Sequence, residues 1–302
     1  MPQHRRSALP RPFLKWAGGK TQLLDQFEPL YPPPGGIRRY LEPFLGSAAV
    51  FFHVRRLIKP VEAVLSDGNE ELINAYRCIQ TDPGKVIRQL TKHRNHHSAF
   101  HYYSTRARKT GKMSAVARAA RFIYLNKTCF NGLYRVNGQG AFNVPIGRYK
   151  NPSILDPENL RSVADALRGV TLHVAHFREV VGRAEKGDFI YFDPPYHPLS
   201  PTSSFTSYTR TPFSARDQER LSEIYGELSR KGCRVMLSNS DCPFIRNLYR
   251  GYDLRKVKAR RSINSRADRR GRISELVVLN YVPAFPGASL ALPGGRQASS
   301  RL

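Results

Sequence analysis

Short apolar segments alternate with helical ones along this chain, and that alternation restricts the fold more than any other feature. An amphipathic helix is predicted at 216–231, and helix-like composition at 48–57. Runs typical of strands occupy residues 37–41, 62–66, 188–192, 234–237 and 275–281. Strands separated by helices indicate an α/β fold built on a mostly parallel sheet.

The alternation is interrupted between residues 70 and 151, where the chain is first helical and rich in His and Arg, then rich in Gly and Asn. We predict an insertion or second domain there. The resulting division is a basic tail at 1–11, a main domain formed by 12–69 and 152–282, an inserted domain at 70–151, and a Gly-, Pro-, Ala- and Ser-rich tail at 283–302.

The charge indicates a polyanionic partner. The 302 residues include 49 Lys and Arg against 23 Asp and Glu, which gives a net charge of +26. Such a surface attracts DNA or RNA, because each neutralised phosphate releases a counterion. Charge alone does not separate an enzyme from a packaging or ribosome-associated protein.

The cysteines and the hydropathy argue against several other classes of protein. The four cysteines form no C-x-x-C pair, which argues against a disulfide framework or a zinc ribbon and favours a reducing compartment. No apolar run of roughly 18 residues occurs, and the N-terminus lacks an apolar signal core. We expect a cytoplasmic protein without membrane contact.

Four histidines have spacings that a metal ion could use: His93, His96, His97 and His101. They lie in a basic stretch without acidic or cysteine neighbours. We therefore expect them to face solvent or phosphate, and we expect no metal.

A glycine turn and a carboxylate suggest a nucleotide-binding unit near the N-terminus. The strand at 37–41 leads into a turn with Gly46, a helix follows, and the next strand ends at Asp67, 21 positions after Gly46. In such units the glycine admits the cofactor to the backbone and the acidic residue accepts hydrogen bonds from the ribose. A single glycine is not the dinucleotide fingerprint, and an ordinary turn with a capping Asp explains the pattern equally well.

A second glycine-containing segment, at 13–21, ends in Gly-Lys-Thr but is not a P-loop. Leu14 stands where that motif requires its first glycine, which argues against an ATPase. What remains is Trp16, two glycines and two lysines. The indole could pack on a purine or a methionine moiety, and a lysine could meet a carboxylate. Trp16 could equally be a core residue.

The tetrapeptide Asp193-Pro194-Pro195-Tyr196 carries the chemistry. It follows the apolar run 189–192, and ligands of open α/β sheets bind beyond the carboxyl ends of strands. The prolines keep their carbonyls as acceptors, Asp193 adds an acceptor, and Tyr196 adds a flat face. These groups can hold an amino group on a planar ring. A proline-stiffened turn is the structural alternative.

Seven segments, taken in order, make the chain resemble the Dam-like (D12 class) N6-adenine-specific DNA methyltransferases. They occupy residues 13–20, 42–52, 67, 124–137, 142–152, 192–200 and 260–265. The resemblance implies a Rossmann-like class I S-adenosylmethionine-dependent sheet, doubly wound and with a reversed final strand pair. It also implies a helical target-recognition domain inserted after the second strand, in agreement with the insertion at 70–151.

The resemblance also implies roles at the cofactor and amine sites. The cofactor is S-adenosylmethionine, and the matching positions are Trp16, Lys20, Phe44, Gly46, Asp67, Phe177 and Asp193. Asp193, Pro194 and Tyr196 match the residues that hold the amine, with Pro195 completing the tetrapeptide. The family often has an acidic residue before the Phe of its adenine-contacting segment, whereas this chain has His176.

Further matches concern double-stranded DNA. Lys15 matches a position that reads the first guanine, Phe130 and Asn131 match residues that insert beside the flipped base, and Leu133, Arg135 and Pro145 match readers of the remaining site. These matches suggest GATC, with another GAT-containing site as the alternative. We expect the basic run at 255–272, with Arg260 and Arg261, to be a hairpin on DNA phosphates.

Three other functions compete with this reading. RNA adenine methylation fits the charge, but the segment at 124–152 resembles DNA-reading members. Glutamine-modifying relatives typically carry Asn where this chain has Asp193. A catalytically silent DNA-binding protein would be expected to lack the tetrapeptide, Trp16, Lys20 or Asp67, all of which are present. We expect the enzyme to be a monomer.

Overall fold

The computed structural model describes residues 9–58, 62–199, 213–260 and 272–283. Its centre is a seven-stranded sheet with the strand order β3-β2-β1-β4-β5-β7-β6. The strands are β1 Arg39–Glu42, β2 Glu62–Asp67, β3 Val170–Val174, β4 Phe189–Phe192, β5 Arg234–Ser240, β6 Asp253–Arg260 and β7 Arg272–Leu279.

The sheet confirms the predicted fold class. Five neighbouring strands run parallel, in the order β3, β2, β1, β4 and β5. Strand β7 pairs antiparallel with β5 on one side and with β6 on the other. The sheet is doubly wound, because the strand order runs from β1 towards β3 on one side and towards β5 on the other. The last two strands stand in reversed order, with β7 between β5 and β6, as expected. The carboxyl ends of β1, β2 and β4 therefore meet at one edge, where a ligand of such a sheet binds.

Helices connect most of the strands and pack against the sheet. They are α1 Leu24–Phe27, α2 Ala49–Leu57, α3 Glu70–Thr81, α4 Pro83–Asn95, α5 Ala99–Ala107, α6 Ala115–Thr128, α7 Pro157–Ala166, α8 Val180–Arg183, α9 Ala215–Arg230 and α10 Pro243–Leu248. No helix within the described ranges is long and apolar enough to span a bilayer.

Side-chain caps explain where several of these helices begin. The Asn69 side chain accepts a hydrogen bond from the Leu72 backbone N–H at the start of α3, and Asp156 does the same for α7. Ser214 and Asp217 form a reciprocal capping box at the start of α9. Each cap satisfies backbone donors that the first helical turn leaves unpaired.

The segment predicted as an insertion, 70–151, contains helices α3 to α6. Helix α6 packs against α3, α4 and α5, whereas α3 also packs against β2, β3 and α7. The first helix of this segment thus rests on the sheet and links it to the helical unit. The domain boundaries after residues 69 and 151 remain a prediction.

The N-terminal strap is attached to α7. The Arg11 backbone N–H donates to Asn159 Oδ1 at 2.9 Å, and Asn159 Nδ2 donates to the Arg11 carbonyl at 2.9 Å. Residues 1–8 and 284–302 of the predicted tails lie outside the described residues.

Candidate active site

Three carboxylates gather at the carboxyl edge of the sheet. Glu42 ends β1, Asp67 ends β2, and Asp193 follows β4 directly. The pKa of each is raised by burial, that of Asp67 to about 6. Sequence reasoning gave no role to Glu42, although its place at the end of a parallel strand was a usable signal. Its carboxylate is buried and accepts a hydrogen bond from Tyr40 Oη at 2.9 Å.

Gly46 contacts both Asp67 and Trp16, two residues that the resemblance assigns to the cofactor site. Its φ is +48°, a conformation that favours glycine, and its backbone N–H donates to Asp67 Oδ2 at 3.1 Å. A Cβ at this position would lie 2.9 Å from Trp16 Cδ1. The other carboxylate oxygen of Asp67 accepts from the Asn69 N–H at 2.9 Å.

Trp16, a candidate cofactor residue, packs against two aromatic rings. Its indole is stacked on the Tyr134 ring, with centroids 5.9 Å apart and planes inclined by 26°. It also contacts Phe122 at 6.3 Å. The interpretation of Trp16 as a packing residue is therefore supported, and Tyr134 connects Trp16 to the segment that follows α6.

Two further candidates, Phe44 and Phe177, stack on each other at 5.4 Å. Phe213 closes this aromatic group from a third side. His176 caps the short turn that holds Phe177, because Nδ1 accepts from the Arg178 N–H and Glu179 accepts from the His176 N–H. His176 stands where the family often has an acidic residue, and its side chain caps this turn.

The Asp193 carboxylate is fixed by a lysine and a serine. Lys20 Nζ lies 2.7 Å from Asp193 Oδ1 and 4.7 Å from the centroid of the Tyr196 ring. Ser238 Oγ donates to the same carboxylate oxygen at 3.1 Å. Lys20 is almost fully buried, and its charge offsets part of the rise that burial causes in the pKa of Asp193.

The remaining residues of the tetrapeptide are held by side chains that the sequence did not reveal. Tyr196 Oη donates to Glu275 Oε2 at 2.6 Å, and Gln218 Nε2 donates to the Pro195 carbonyl at 2.8 Å. Our expectation that both proline carbonyls remain free was wrong for Pro195, because Gln218 occupies it. Among the described residues, no donor reaches the Pro194 carbonyl.

Replacing Gln218 with Leu should destabilise this turn. Gln218 is 1% exposed, and Asn239 Nδ2 donates to its Oε1 at 3.0 Å. The change leaves the Pro195 carbonyl and a buried amide without partners, at a cost of about 1–3 kcal/mol for each group. Thermal unfolding should show a lower midpoint than for Glu219→Leu, an exposed position on the same helix. Equal midpoints would contradict this role.

The candidate DNA-reading residues lie around the end of α6. The Lys15 backbone N–H donates to Asn126 Oδ1 at 2.8 Å, and Asn126 Nδ2 donates to the Lys15 carbonyl at 2.7 Å. Lys15 Nζ donates to the Lys127 carbonyl at 3.1 Å and lies 3.6 Å from the centroid of the Tyr149 ring. Gly132, with φ of +65°, leaves no room for a side chain because a Cβ would lie 2.3 Å from Lys15 Cβ.

Phe130 and Asn131 form the exposed tip beside Lys15. Phe130 is 47% exposed, Asn131 has a φ of +53°, and the Phe130 N–H donates to the Pro145 carbonyl at 2.9 Å. Arg135 is exposed, and its Nε donates to Asn143 Oδ1 at 2.8 Å. Leu133 is half-buried against the core. Arg261 and the side chain of Arg260 lie outside the described residues.

Three of the four histidines singled out in the sequence, His93, His97 and His101, pack against Tyr124, whereas His96 is exposed as expected. His93 Nδ1 lies 3.0 Å from His101 Nε2, and the His93 ring stacks on Tyr124 at 4.6 Å. His97 Nδ1 lies 2.9 Å from Tyr124 Oη. Burial lowers the pKa of His93 to about 4. The part of the chain that the structure describes contains no group of three or more potential metal ligands.

Comparison with known proteins points in one direction. The model of the family described as D12 class N6 adenine-specific DNA methyltransferase matches residues 16–263. Type II methyltransferase M1.LlaDCHI of Lactococcus lactis is 44% identical over 277 residues, covering 90% of this chain and 95% of that protein.

Two more relatives extend the comparison. Type II methyltransferase M.MjaIII of Methanocaldococcus jannaschii is 43% identical over 286 residues, covering 90% of this chain and 99% of that protein. The DNA adenine methylase of Vibrio cholerae serotype O1 is 36% identical over 273 residues, covering 89% of this chain and 95% of that protein.

Proposed function

This chain belongs to the D12 class family of N6 adenine-specific DNA methyltransferases, and we propose that it methylates a flipped-out adenine within GATC in duplex DNA. Methyltransferases of this family use S-adenosylmethionine. The observation that carries the proposal is the ion pair between Lys20 and Asp193, whose Nζ and Oδ1 are 2.7 Å apart beside the Tyr196 ring. In this pair a nitrogen donor lies on the carboxylate oxygen that we assign to the adenine amine.

The residues at the sheet edge fit the cofactor. Each Asp67 oxygen accepts one backbone N–H, and a carboxylate oxygen has a second lone pair for a ribose hydroxyl. Trp16 packs against the core cluster that contains Tyr40 and Tyr191, and the Phe44–Phe177 pair against the cluster that contains Leu41 and Ile190, so each cluster contributes aromatic surface to the candidate cofactor site. We assign cofactor binding to these residues, together with Gly46, Lys20 and Asp193; when bound, the cofactor supplies the methyl group on a sulfonium.

In the proposed reaction the adenine amine takes the position that the Lys20 ammonium occupies on Asp193 Oδ1, and Lys20 pairs instead with the carboxylate of the bound cofactor. The amine donates one N–H to Asp193 and the other to the Pro194 carbonyl, while the adenine ring stacks on Tyr196. These bonds would increase the electron density on N6, which would accept the methyl group supplied by the cofactor as its bond to sulfur broke. The proton then leaves N6 towards Asp193 and solvent. Positioning and fixed charges contribute most of the acceleration.

Cofactor binding should weaken in acid. Burial raises the pKa of Asp67 to about 6, so the carboxyl is protonated below that value and is then a poorer acceptor for the ribose. We expect the affinity for S-adenosylmethionine to fall by up to about tenfold between about pH 7 and about pH 5. Calorimetry across this range measures it.

Asp67→Asn is the control for this titration. It should bind weakly throughout and lack the inflection near the pKa of Asp67. An identical inflection in the variant would assign the titration to another group, such as Glu42 or Asp193, whose pKa values are also raised.

An amine inside a duplex cannot reach Asp193, so the base must leave the stack. Phe130 is exposed beside Asn131 and Pro145, and we assign to Phe130 and Asn131 the filling of the vacated space. Lys15 and Arg135 suit the two G·C pairs of GATC, because Lys and Arg favour guanine O6 and N7. Leu133 and Pro145 offer apolar contacts to a thymine methyl. Arg260 and Arg261 are assigned to phosphates.

Arg135→Ala should relax specificity at one base pair. Asn143 binds Arg135 through Nε, which leaves both terminal nitrogens for a two-pronged guanine contact. Its loss should remove about 1–3 kcal/mol of discrimination, roughly 5- to 150-fold. Arg220→Ala, which removes an exposed arginine on α9, should leave discrimination intact. Equal discrimination by both variants would overturn the assignment of Arg135.

Transfer of labelled methyl groups to synthetic duplexes tests the proposed site. The panel contains GATC, every single-base change of it, GATC with N6-methyladenine, and an RNA of the same sequence. We expect uptake on GATC alone. Uptake on another GAT-containing duplex would overturn the site, and uptake on RNA alone would overturn the substrate.

A further inference from the structure

The Tyr196 ring of the tetrapeptide is anchored from a strand that belongs to no motif. Tyr196 Oη donates to Glu275 Oε2 at 2.6 Å, across 79 positions of sequence. Glu275 is half-buried on β7, and Lys20 lies close enough to lower its pKa against the rise that burial causes. The contact is therefore a short, charge-assisted hydrogen bond in a poorly solvated place.

The reversed strand β7 is what places Glu275 there. Glu275 is the register partner of Ser240 on β5, and partners in a pair point to the same face of a sheet. Ser238, two residues earlier and on that same face, donates to Asp193, while Ser240 donates to the His197 carbonyl at 2.8 Å. Ser238, Ser240 and Glu275 thus lie on one face of β5 and β7, and their side chains form hydrogen bonds with the turn from Asp193 to His197.

We propose that Glu275 is a positioning residue for methyl transfer, which holds the Tyr196 ring at the angle needed to stack on the target adenine. The inference rests on the proposed function. A tyrosine ring has two side-chain torsions, and fixing the phenol oxygen at its far end restrains both. Without the acceptor at Glu275, the ring would be held at its Cβ end only, and the phenol would be a half-buried donor without its charged partner.

The role concerns orientation, so its loss should lower turnover more than DNA affinity. In Glu275→Ala we expect kcat to fall between about 10- and 100-fold, because misplacing a reacting group by about 1 Å costs that much. KM for DNA should change little, since among the described residues Glu275 bonds to Tyr196, whereas Lys15 and Arg135 bond to Lys127 and Asn143. Glu275→Gln keeps an acceptor oxygen and should restore most of the turnover.

Tyr196→Phe removes the same hydrogen bond from its other end and keeps the ring. It should lower kcat as Glu275→Ala does, and the double variant should be no worse than Tyr196→Phe alone, because the two changes delete one interaction. This variant keeps the test decisive if Glu275→Ala folds poorly. Glu223→Ala, at an exposed position on α9, is the matched control.

The experiment measures kcat and KM for these variants on a GATC duplex, together with the fluorescence of 2-aminopurine at the target position. A stacked aromatic ring quenches this probe, so complexes without the anchor should be brighter than the wild-type complex. Full turnover in Glu275→Ala, equal loss in Glu275→Ala and Glu275→Gln, or additive losses in the double variant would each overturn the inference alone. Absence of methyl uptake by the wild-type protein would overturn the proposed function as well.

Discussion

Replacing Asp193 with Ala is expected to lower methyl transfer by roughly 10²- to 10³-fold, the range found when a preorganised charge-stabilising group is removed. Asp193 is the one side-chain acceptor of the tetrapeptide and carries the contacts from Lys20 and Ser238. Its loss removes the partner of the adenine amine. Turnover at saturating DNA and cofactor measures the effect.

Folding must be measured alongside, because the same change leaves Lys20 buried without its counter-charge. Loss of one partner of a buried pair costs about 3–5 kcal/mol, so the unfolding midpoint should also fall. Asp165→Ala is the control, since Asp165 is exposed on α7 and pairs only with Arg168 among the described residues. Turnover of folded Asp193→Ala within about tenfold of the wild type would show that another group holds the amine.

Gly46→Ala is expected to impair cofactor binding strongly. The φ of Gly46 is +48°, where a side chain costs on the order of 1–3 kcal/mol. The new Cβ would lie 2.9 Å from Trp16 Cδ1 and 3.0 Å from Nε1, so the indole must shift. Because Trp16 also stacks on Tyr134, it has little room, and we expect affinity for S-adenosylmethionine to fall at least about tenfold.

Gly251→Ala provides the matched control for this substitution. A Cβ at Gly251 meets nothing within 4 Å, and its φ lies outside the positive range. Calorimetry should give wild-type affinity for this control and weakened binding for Gly46→Ala. Unchanged affinity in Gly46→Ala would mean that neither the indole position nor the turn conformation matters to the cofactor.

Much of the fold could be read from sequence because its strands carry strong local signals. The apolar run before Asp193 has β-branched and aromatic residues and ends at a proline pair, so strand β4 and its functional end were predictable together. The glycine turn at Gly46 and the carboxylate at Asp67 were predictable from their spacing, and the structure joins them by a hydrogen bond of 3.1 Å.

Strand β3 was not predicted, and β6 was predicted only as part of the basic hairpin at 255–272. β3 alternates buried Val170 and Leu172 with polar residues over only five positions, a signal too short to stand out. β6 buries Val257 and Ala259, but the arginines and lysines around them leave it without the apolar run that marks the other strands. The Gln26 side chain pairs with the backbone of Lys258 at 3.0 and 2.9 Å, which only the folded chain reveals.

The supporting residues of the site were beyond sequence reasoning for a similar reason. Glu275 and Gln218 lie in an apolar strand and an amphipathic helix, where a single polar residue carries no local signature. Their role comes from the sheet order, which brings β7 beside β5, and from the packing of α9 on β5. Long-range contacts of this kind depend on topology, and one sequence does not state its topology residue by residue.

The central claim is tested most directly by incubating the purified protein with S-adenosylmethionine and an unmethylated plasmid, and then sequencing the product by a method that detects N6-methyladenine. We predict modified adenines at GATC sites and nowhere else, with none produced by Asp193→Ala. Modification at other sites would keep the enzyme and contradict the assignment of the reading residues. An unmodified plasmid, recovered from a protein that binds both cofactor and DNA, would contradict the claim that this site methylates DNA.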